Sequence, residues 1–143
     1  MLGWYKLPNS CIWIASHNKT AHLNHHEAMS HCQQMIPGGR LFEPKNEASN
    51  DLVSNLVSVH DGEFIKGYIF IGINDKDTEG QFVYDSSNEP ISYSNFFRAD
   101  GGNRRNCVGF HQSIHFPFTE STKTKWIEWP CTSKLRFLCE KSL

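Results

Sequence analysis

Tyr68-Ile69-Phe70-Ile71-Gly72-Ile73-Asn74-Asp75, followed by Glu79-Gly80-Gln81-Phe82-Val83-Tyr84, decides how this chain is read. The first run is short, apolar and β-branched, with no alternation of polar residues. Such a run belongs to a strand covered on both faces. The second is another short strand, reached through a polar turn. Upstream the pattern is helical. Asn24-His25-His26-Glu27 has the spacing of a capping box, and Ala28, Cys32, Met35 and Ile36 then repeat at helical intervals, which turns Cys32 to the core. Pro37-Gly38-Gly39 stops this helix. A second helix starts near Asn46, with Ala48, Leu52, Leu56 and Val59 as its expected apolar stripe, and ends at Asp61-Gly62. Downstream, a polar stretch from Asp85 to Asn106 exceeds the ~15 residues beyond which loops are uncommon and tend to be functional. Strands return at Cys107–Phe110, Lys125–Trp129 and Leu135–Cys139. The plan is α+β with a mostly antiparallel sheet.

Composition narrows the class. The chain has 143 residues, enough for one domain, 1–143, with a single core. Fourteen Lys and Arg against fifteen Asp and Glu leave a net charge of −1, so the basic field of a duplex nucleic-acid binder is missing. No apolar run reaches the roughly 18 residues of a membrane span. Aromatic residues make up 13%, and some of that surplus is available to face a ligand. The five cysteines, Cys11, Cys32, Cys107, Cys131 and Cys139, contain no Cys-x-x-Cys pair, which argues against a zinc ribbon or a thioredoxin-type site. Wide spacing in a small, loop-rich chain favours disulfides and secretion. Spacing alone leaves the connectivity open, and one cysteine stays odd. Asn18-Lys19-Thr20 is a glycosylation sequon that fits a secreted surface loop. Met1-Leu2-Gly3-Trp4 lacks the charged start and apolar run of a leader, so the chain reads as a mature form or one with an added Met.

These landmarks together resemble the C-type lectin-like domain along essentially the whole chain. Gly3-Trp4 and Ser10-Cys11 look like that family's opening segment, Glu27-Ala28 and Cys32 like its first helix, and Gly38-Gly39-Arg40-Leu41 like the turn that follows. Ile69 to Asp75 and Glu79 to Tyr84 resemble its most specific run. Tyr93-Ser94-Asn95-Phe96, Asn106-Cys107-Val108, Trp126-Ile127-Glu128 with Cys131, and Phe137-Leu138-Cys139-Glu140 complete the likeness. The resemblance implies two helices packed on a mostly antiparallel sheet with a long ligand-binding loop. It also implies disulfides Cys32–Cys139 and Cys107–Cys131. Cys11 is then odd, as a buried thiol, a cysteine that has lost its partner, or an interchain bridge. The bridge is the expectation, giving a homo- or heterodimer.

In the sugar-binding branch of the family a calcium ion holds two sugar hydroxyls, and it needs six to eight oxygen ligands. This sequence departs from that branch at nearly every ligand position. The triad region reads Arg98-Ala99-Asp100-Gly101-Gly102-Asn103, Arg104-Arg105-Asn106 stand where an acidic pair is usual, and Ile127 offers no side-chain oxygen. Glu89-Pro90 lies outside the triad position. The expectation is therefore no cofactor at the sugar site. Asp75 and Glu79 match two ligands of a second, structural calcium site. They are read as shaping a turn and facing solvent, with weak calcium binding as the alternative.

Sugar binding does not require the ion. Asp100 accepts hydrogen bonds from a hydroxyl or an acetamido N–H, and Arg98 is a rigid multiple donor. Some bivalve lectins of this family carry a basic-Pro-Asp triad and bind acetamido sugars without calcium. Arg98-Ala99-Asp100 looks like a variant of that triad, in which Ala99 forfeits a cis proline bond whose alanine counterpart costs ~2.5 kcal/mol or more. Asn103, Glu128 and Phe116 are the further candidates. Phe116 lies in an insert between Phe110 and Trp126, where it either stacks on a sugar ring or fills the core. His17, His22, His25, His26 and His31 are read as a solvated face, because neighbouring helical histidines point apart. No Ser/His/Asp order or paired-carboxylate context supports an enzyme. The expected function is a secreted, calcium-independent lectin for GalNAc-, GlcNAc- or galactose-type sugars in microbial recognition. The alternative is a lectin-like domain that binds a protein partner.

Overall fold

A computed structural model of the chain describes residues 3–98, 102–112 and 124–143. In chain order these hold β1 (Trp4–Lys6), β2 (Ser10–Ile14), α1 (His25–Met35), β3 (Arg40–Leu41), α2 (Glu47–His60), β4 (Ile69–Asn74), β5 (Val83–Tyr84), β6 (Phe96–Arg98), β7 (Cys107–Gln112), β8 (Thr124–Trp129) and β9 (Arg136–Ser142). The sheet runs β1-β2-β9-β4-β7-β8-β6, with β3 added to β9 and β5 to β4. The pairs β4–β9 and β6–β8 are parallel and the other strand pairs antiparallel.

The helix starts follow from local chemistry. Asn24 Oδ1 accepts the Glu27 N–H at 2.9 Å, and the Glu27 carboxylate accepts the Asn24 N–H at 3.1 Å. Asn46 and Ser49 repeat the exchange at the start of α2. Each cap satisfies backbone donors that a helix N-terminus leaves unpaired. Gly39, just past the end of the first helix, has no room for a β-carbon, which would run into the Cys32 carbonyl. Gly72 has a similar reason: a β-carbon would come within 2.8 Å of both Glu43 Cγ and the Leu41 carbonyl oxygen.

The expected stripe of α2 is displaced. Asn50, Val53 and Val57 are buried, whereas Leu52 is 44% and Val59 69% exposed. Two apolar sets compete on this helix. The one that contains a polar residue faces the core because the Trp126 indole Nε1–H donates to Asn50 Oδ1 at 2.8 Å.

As the unbroken apolar run of β4 requires, its residues serve both faces. Ile69, Ile71 and Ile73 pack with Ile12, Val53, Val57, Phe110 and Trp126. Phe70 packs with Ala28, Leu41, Phe137 and the cysteines. Both implied bridges, Cys32–Cys139 and Cys107–Cys131, are formed. In the chain-entropy view the first, 107 residues apart, contributes roughly 4–5 kcal/mol, and the second, 24 residues apart, about 3. Arg136, 1% exposed, joins β9 to the end of α2 through a two-pronged contact with the Asp61 carboxylate.

Cys11 is a free, buried thiol. Its residue is 2% exposed in β2, between β1 and β9, with no second sulfur bonded to it. Of the three alternatives for this odd cysteine, that position favours the buried thiol over the interchain bridge. No helix among the described residues is long and apolar enough to cross a membrane.

Candidate functional site

Four segments meet at one end of the sheet. Asn74 pairs with Cys107, and the Asp75 N–H donates to the Asn106 carbonyl at 3.0 Å. Across β7, Cys107 pairs with Trp129 and Val108 with Glu128. On the far side of β8, Arg98 is the parallel partner of Ile127. The chain between β6 and β7, termed the arch below, joins the strands on either side of β8, and a 3-10 turn, Gly102–Arg104, lies within it.

Of the residues singled out in the sequence, Arg98 and Asn103 lie on the two flanks of this arch. Asp100 and Phe116 lie outside the described residues. Glu128 is only 4% exposed, with its side chain on the buried side of β8, so little of its carboxylate surface is open to a ligand. Arg104 and Arg105 are exposed.

Asp75 and Glu79 do not both face solvent as expected. Asp75 is 1% exposed, with Oδ2 accepting the Gly80 N–H at 2.9 Å. Its other oxygen, Oδ1, is buried and accepts no hydrogen bond among the described residues. Glu79 is exposed, beside the Asp75 carboxyl. Desolvation, together with the Asp75 charge, pushes the Glu79 carboxyl above its ordinary value. A turn is indeed built here, but around a buried carboxylate.

A sugar-bridging ion needs a shell of oxygens, and two exposed guanidiniums with an isoleucine oppose one. Among the described residues no group of three or more His, Cys, Asp or Glu converges as a metal site would require. Among the described residues of the arch, Arg104 and Arg105 present cations rather than carboxylate oxygens. Asp75 and Glu79 fit a second cation only in part, as two carboxyls with one orphaned oxygen.

Two features escaped the sequence reading. His25 is not part of a solvated face. It is 1% exposed, its Nε2 lies 2.8 Å from Asp85 Oδ2, and its Nδ1 lies 3.1 Å from Lys76 Nζ. Because an ammonium only donates, Nδ1 is the acceptor and Nε2–H donates to Asp85. Asn74 Nδ2 in turn donates to the second Asp85 oxygen at 2.6 Å. This chain of contacts ties α1 to the segment that carries Asp75. Phe97 is the second feature. It stands beside Arg98 and is 54% exposed, while its neighbour Phe96 packs against Phe82 and Trp126. Strand alternation sends one ring inward and turns the other toward the opposite face. That alternation was available as a signal once a strand was placed at Phe96–Arg98.

A two-helix frame, two disulfides and an arched loop at the sheet's end define a lectin-type binding module rather than an enzyme. The chain belongs to the C-type lectin domain family, whose model matches residues 21–141. Chicken collectin-10 is 33% identical to it over 117 residues, which cover 82% of this chain and 38% of that protein. Human C-type lectin domain family 3 member A is 35% identical over 122 residues, 80% of this chain and 53% of that one. The chain thus spans about two fifths to one half of the length of these relatives. The C-type lectin domain of murine dendritic cell inhibitory receptor 2, solved in complex with an N-glycan, superimposes with a TM-score of 0.78 at 16% identity and covers 100% of this chain and 98% of that one.

Proposed function

We propose that this carbohydrate-binding lectin domain, residues 1–143, is secreted and binds its sugar without calcium, through the arch that follows Phe97. Acetamido sugars of the GalNAc or GlcNAc type, or galactose-type sugars, are the ligands, and microbial glycans are the target. The observation that carries this reading is the chemistry at the positions where a sugar-bridging ion would need oxygens: Arg104 and Arg105 are exposed cations, and Ile127, the register partner of Arg98, is apolar. Asp100 supplies a two-oxygen acceptor, Arg98 a donor, and Asn103 a further amide. Phe97 offers an aromatic face for the apolar side of a sugar ring. Asp75 and Glu79 lie outside this contact set, and two carboxyls fall short of the six to eight oxygens that calcium takes. Secretion is supported by the two disulfides, which persist in oxidising compartments.

The test is a glycan array probed with and without EDTA, together with Asp100→Ala. Acetamido-sugar binding that survives EDTA and is lost in Asp100→Ala supports the reading. Binding lost in EDTA overturns calcium independence. Normal binding by Asp100→Ala moves the ligand away from the arch, with the insert around Phe116 as the next place to look. Binding to no glycan favours a protein partner.

A further inference from the structure

We propose that Asn18 is an N-glycosylation site, the acceptor of a second, covalent sugar far from the binding arch in function. Asn18-Lys19-Thr20 has the required residue types, and Lys19 is not proline. The structure adds what a sequon alone lacks. Asn18 Oδ1 accepts both the Thr20 N–H and the Thr20 hydroxyl, each at 3.1 Å. The Asn18 N–H donates to Ser16 Oγ at 3.0 Å, and its carbonyl accepts the Ala21 N–H at 2.9 Å. Every polar group of Asn18 is thus engaged except the amide Nδ2, which makes no hydrogen bond among the described residues. Residues 16–21 are all exposed, and none of Lys19–Ala21 is buried. A bulky glycan on Nδ2 therefore meets water rather than the fold.

The turn is also local. Its hydrogen bonds join residues within 16–22, so they can form while the rest of the chain is still unfolded. Two hydrogen bonds onto Oδ1 draw electron density to the oxygen and make the Nδ2–H more acidic. The co-reactant is an oligosaccharide linked to a lipid pyrophosphate. Nδ2 attacks the anomeric carbon and a C–N bond forms. The bond from that carbon to the pyrophosphate oxygen breaks, the lipid pyrophosphate leaves with the electron pair, and the amide proton passes to a base of the transferase.

The proposal rests on the secretory reading above, and its test separates the two. The full chain is expressed behind a cleavable secretory leader in eukaryotic cells and recovered from the medium. Peptide-N-glycosidase in heavy-oxygen water should convert Asn18 to labelled Asp and sharpen the protein to a faster gel band. Thr20→Ser should keep the slow band, whereas Thr20→Ala and Asn18→Gln should lose it. An unmodified Asn18 peptide in the secreted wild-type protein overturns the proposal and leaves the secretory reading standing. Reduced thiols at Cys32 and Cys107 in native protein would overturn both.

Discussion

Replacing Arg136 by Met tests the frame that holds the arch in place. The guanidinium is 1% exposed and Asp61's side chain is fully buried. Nη1 and Nη2 donate to the two Asp61 oxygens at 2.7 and 3.0 Å, Nε donates to the Ala15 carbonyl at 3.1 Å, and Nη1 also donates to the Lys66 carbonyl at 2.8 Å. Methionine keeps much of the volume but removes all four contacts. Asp61 retains the Lys66 N–H and His60 and loses its counter-charge. Breaking a buried pair from one side costs about 3–5 kcal/mol, because the remaining charge is uncompensated. For a domain of this size, at about 2–4 °C per kcal/mol, the melting temperature should fall by roughly 10 °C or more. Urea unfolding at neutral pH with the disulfides intact is the assay. The variant Asp61→Asn/Arg136→Met should recover part of the loss, since no buried charge is stranded. The pH dependence gives a second readout. Burial pushes the Asp61 carboxyl up, but hydrogen bonds from Arg136, the Lys66 N–H and His60, with the Arg136 charge, outweigh it and hold the group below 3.8. A depressed carboxyl stabilises the fold above its unfolded value, and that contribution is lost as pH falls through the folded one. Arg136→Met should therefore lose stability at neutral pH and show a weaker further loss in acid. A cost within about 1 kcal/mol for Arg136→Met would refute the reasoning, since it would mean that Asp61 is not stranded.

Asn50→Leu should destabilise by about 1–3 kcal/mol in urea despite adding apolar volume, because it strands the buried Trp126 indole N–H. Phe97→Ala should weaken sugar binding several-fold by isothermal titration and change stability by no more than about 0.5 kcal/mol, as expected for an exposed side chain. His111 is held below its ordinary value of 6.5 by burial. The unfolded chain then takes the proton first, so stability should fall as pH drops from 6.5 through the folded value, and His111→Phe should flatten that part of the urea-midpoint profile. Glu140 works in the opposite direction. Burial, reinforced by Glu43 and only partly offset by Arg40, the Glu43 N–H and Lys45, raises its carboxyl above 4.5, so its contribution is largest below 4.5 and is lost as pH rises through the folded value.

What the sequence made legible was set by short-range chemistry. The caps at Asn24 and Asn46 are exchanges across three residues, and the buried strand at Ile69–Asn74 announces itself by composition alone. The disulfide pairing was reachable only through resemblance. Where the reading failed, a polar side chain is buried by a partner distant in sequence. Asn50 meets Trp126 from 76 residues away, and His25 meets Asp85 from 60. Hydropathy places both on the outside, and only the fold supplies the group that makes burial tolerable. Asp75 follows the same rule at shorter range, through Gly80.

The same division bears on how the site relates to the scaffold. The polar contacts of the frame, Arg136 with Asp61, Asn50 with Trp126, and Glu43 with Ser86 at 2.8 Å, involve no residue of the arch from 98 to 106. The arch is attached at its flanks, through the β6–β8 pairing on one side and the Cys107–Cys131 bridge on the other. Exposed residues between two fixed ends can change their chemistry with little folding cost. That separation allows arginines to stand where a related lectin would place calcium oxygens while the frame keeps its geometry. It also makes a sharp expectation for the site: Asp100→Ala should change binding while the melting temperature stays nearly constant, whereas Arg136→Met should do the reverse in the fraction that remains folded.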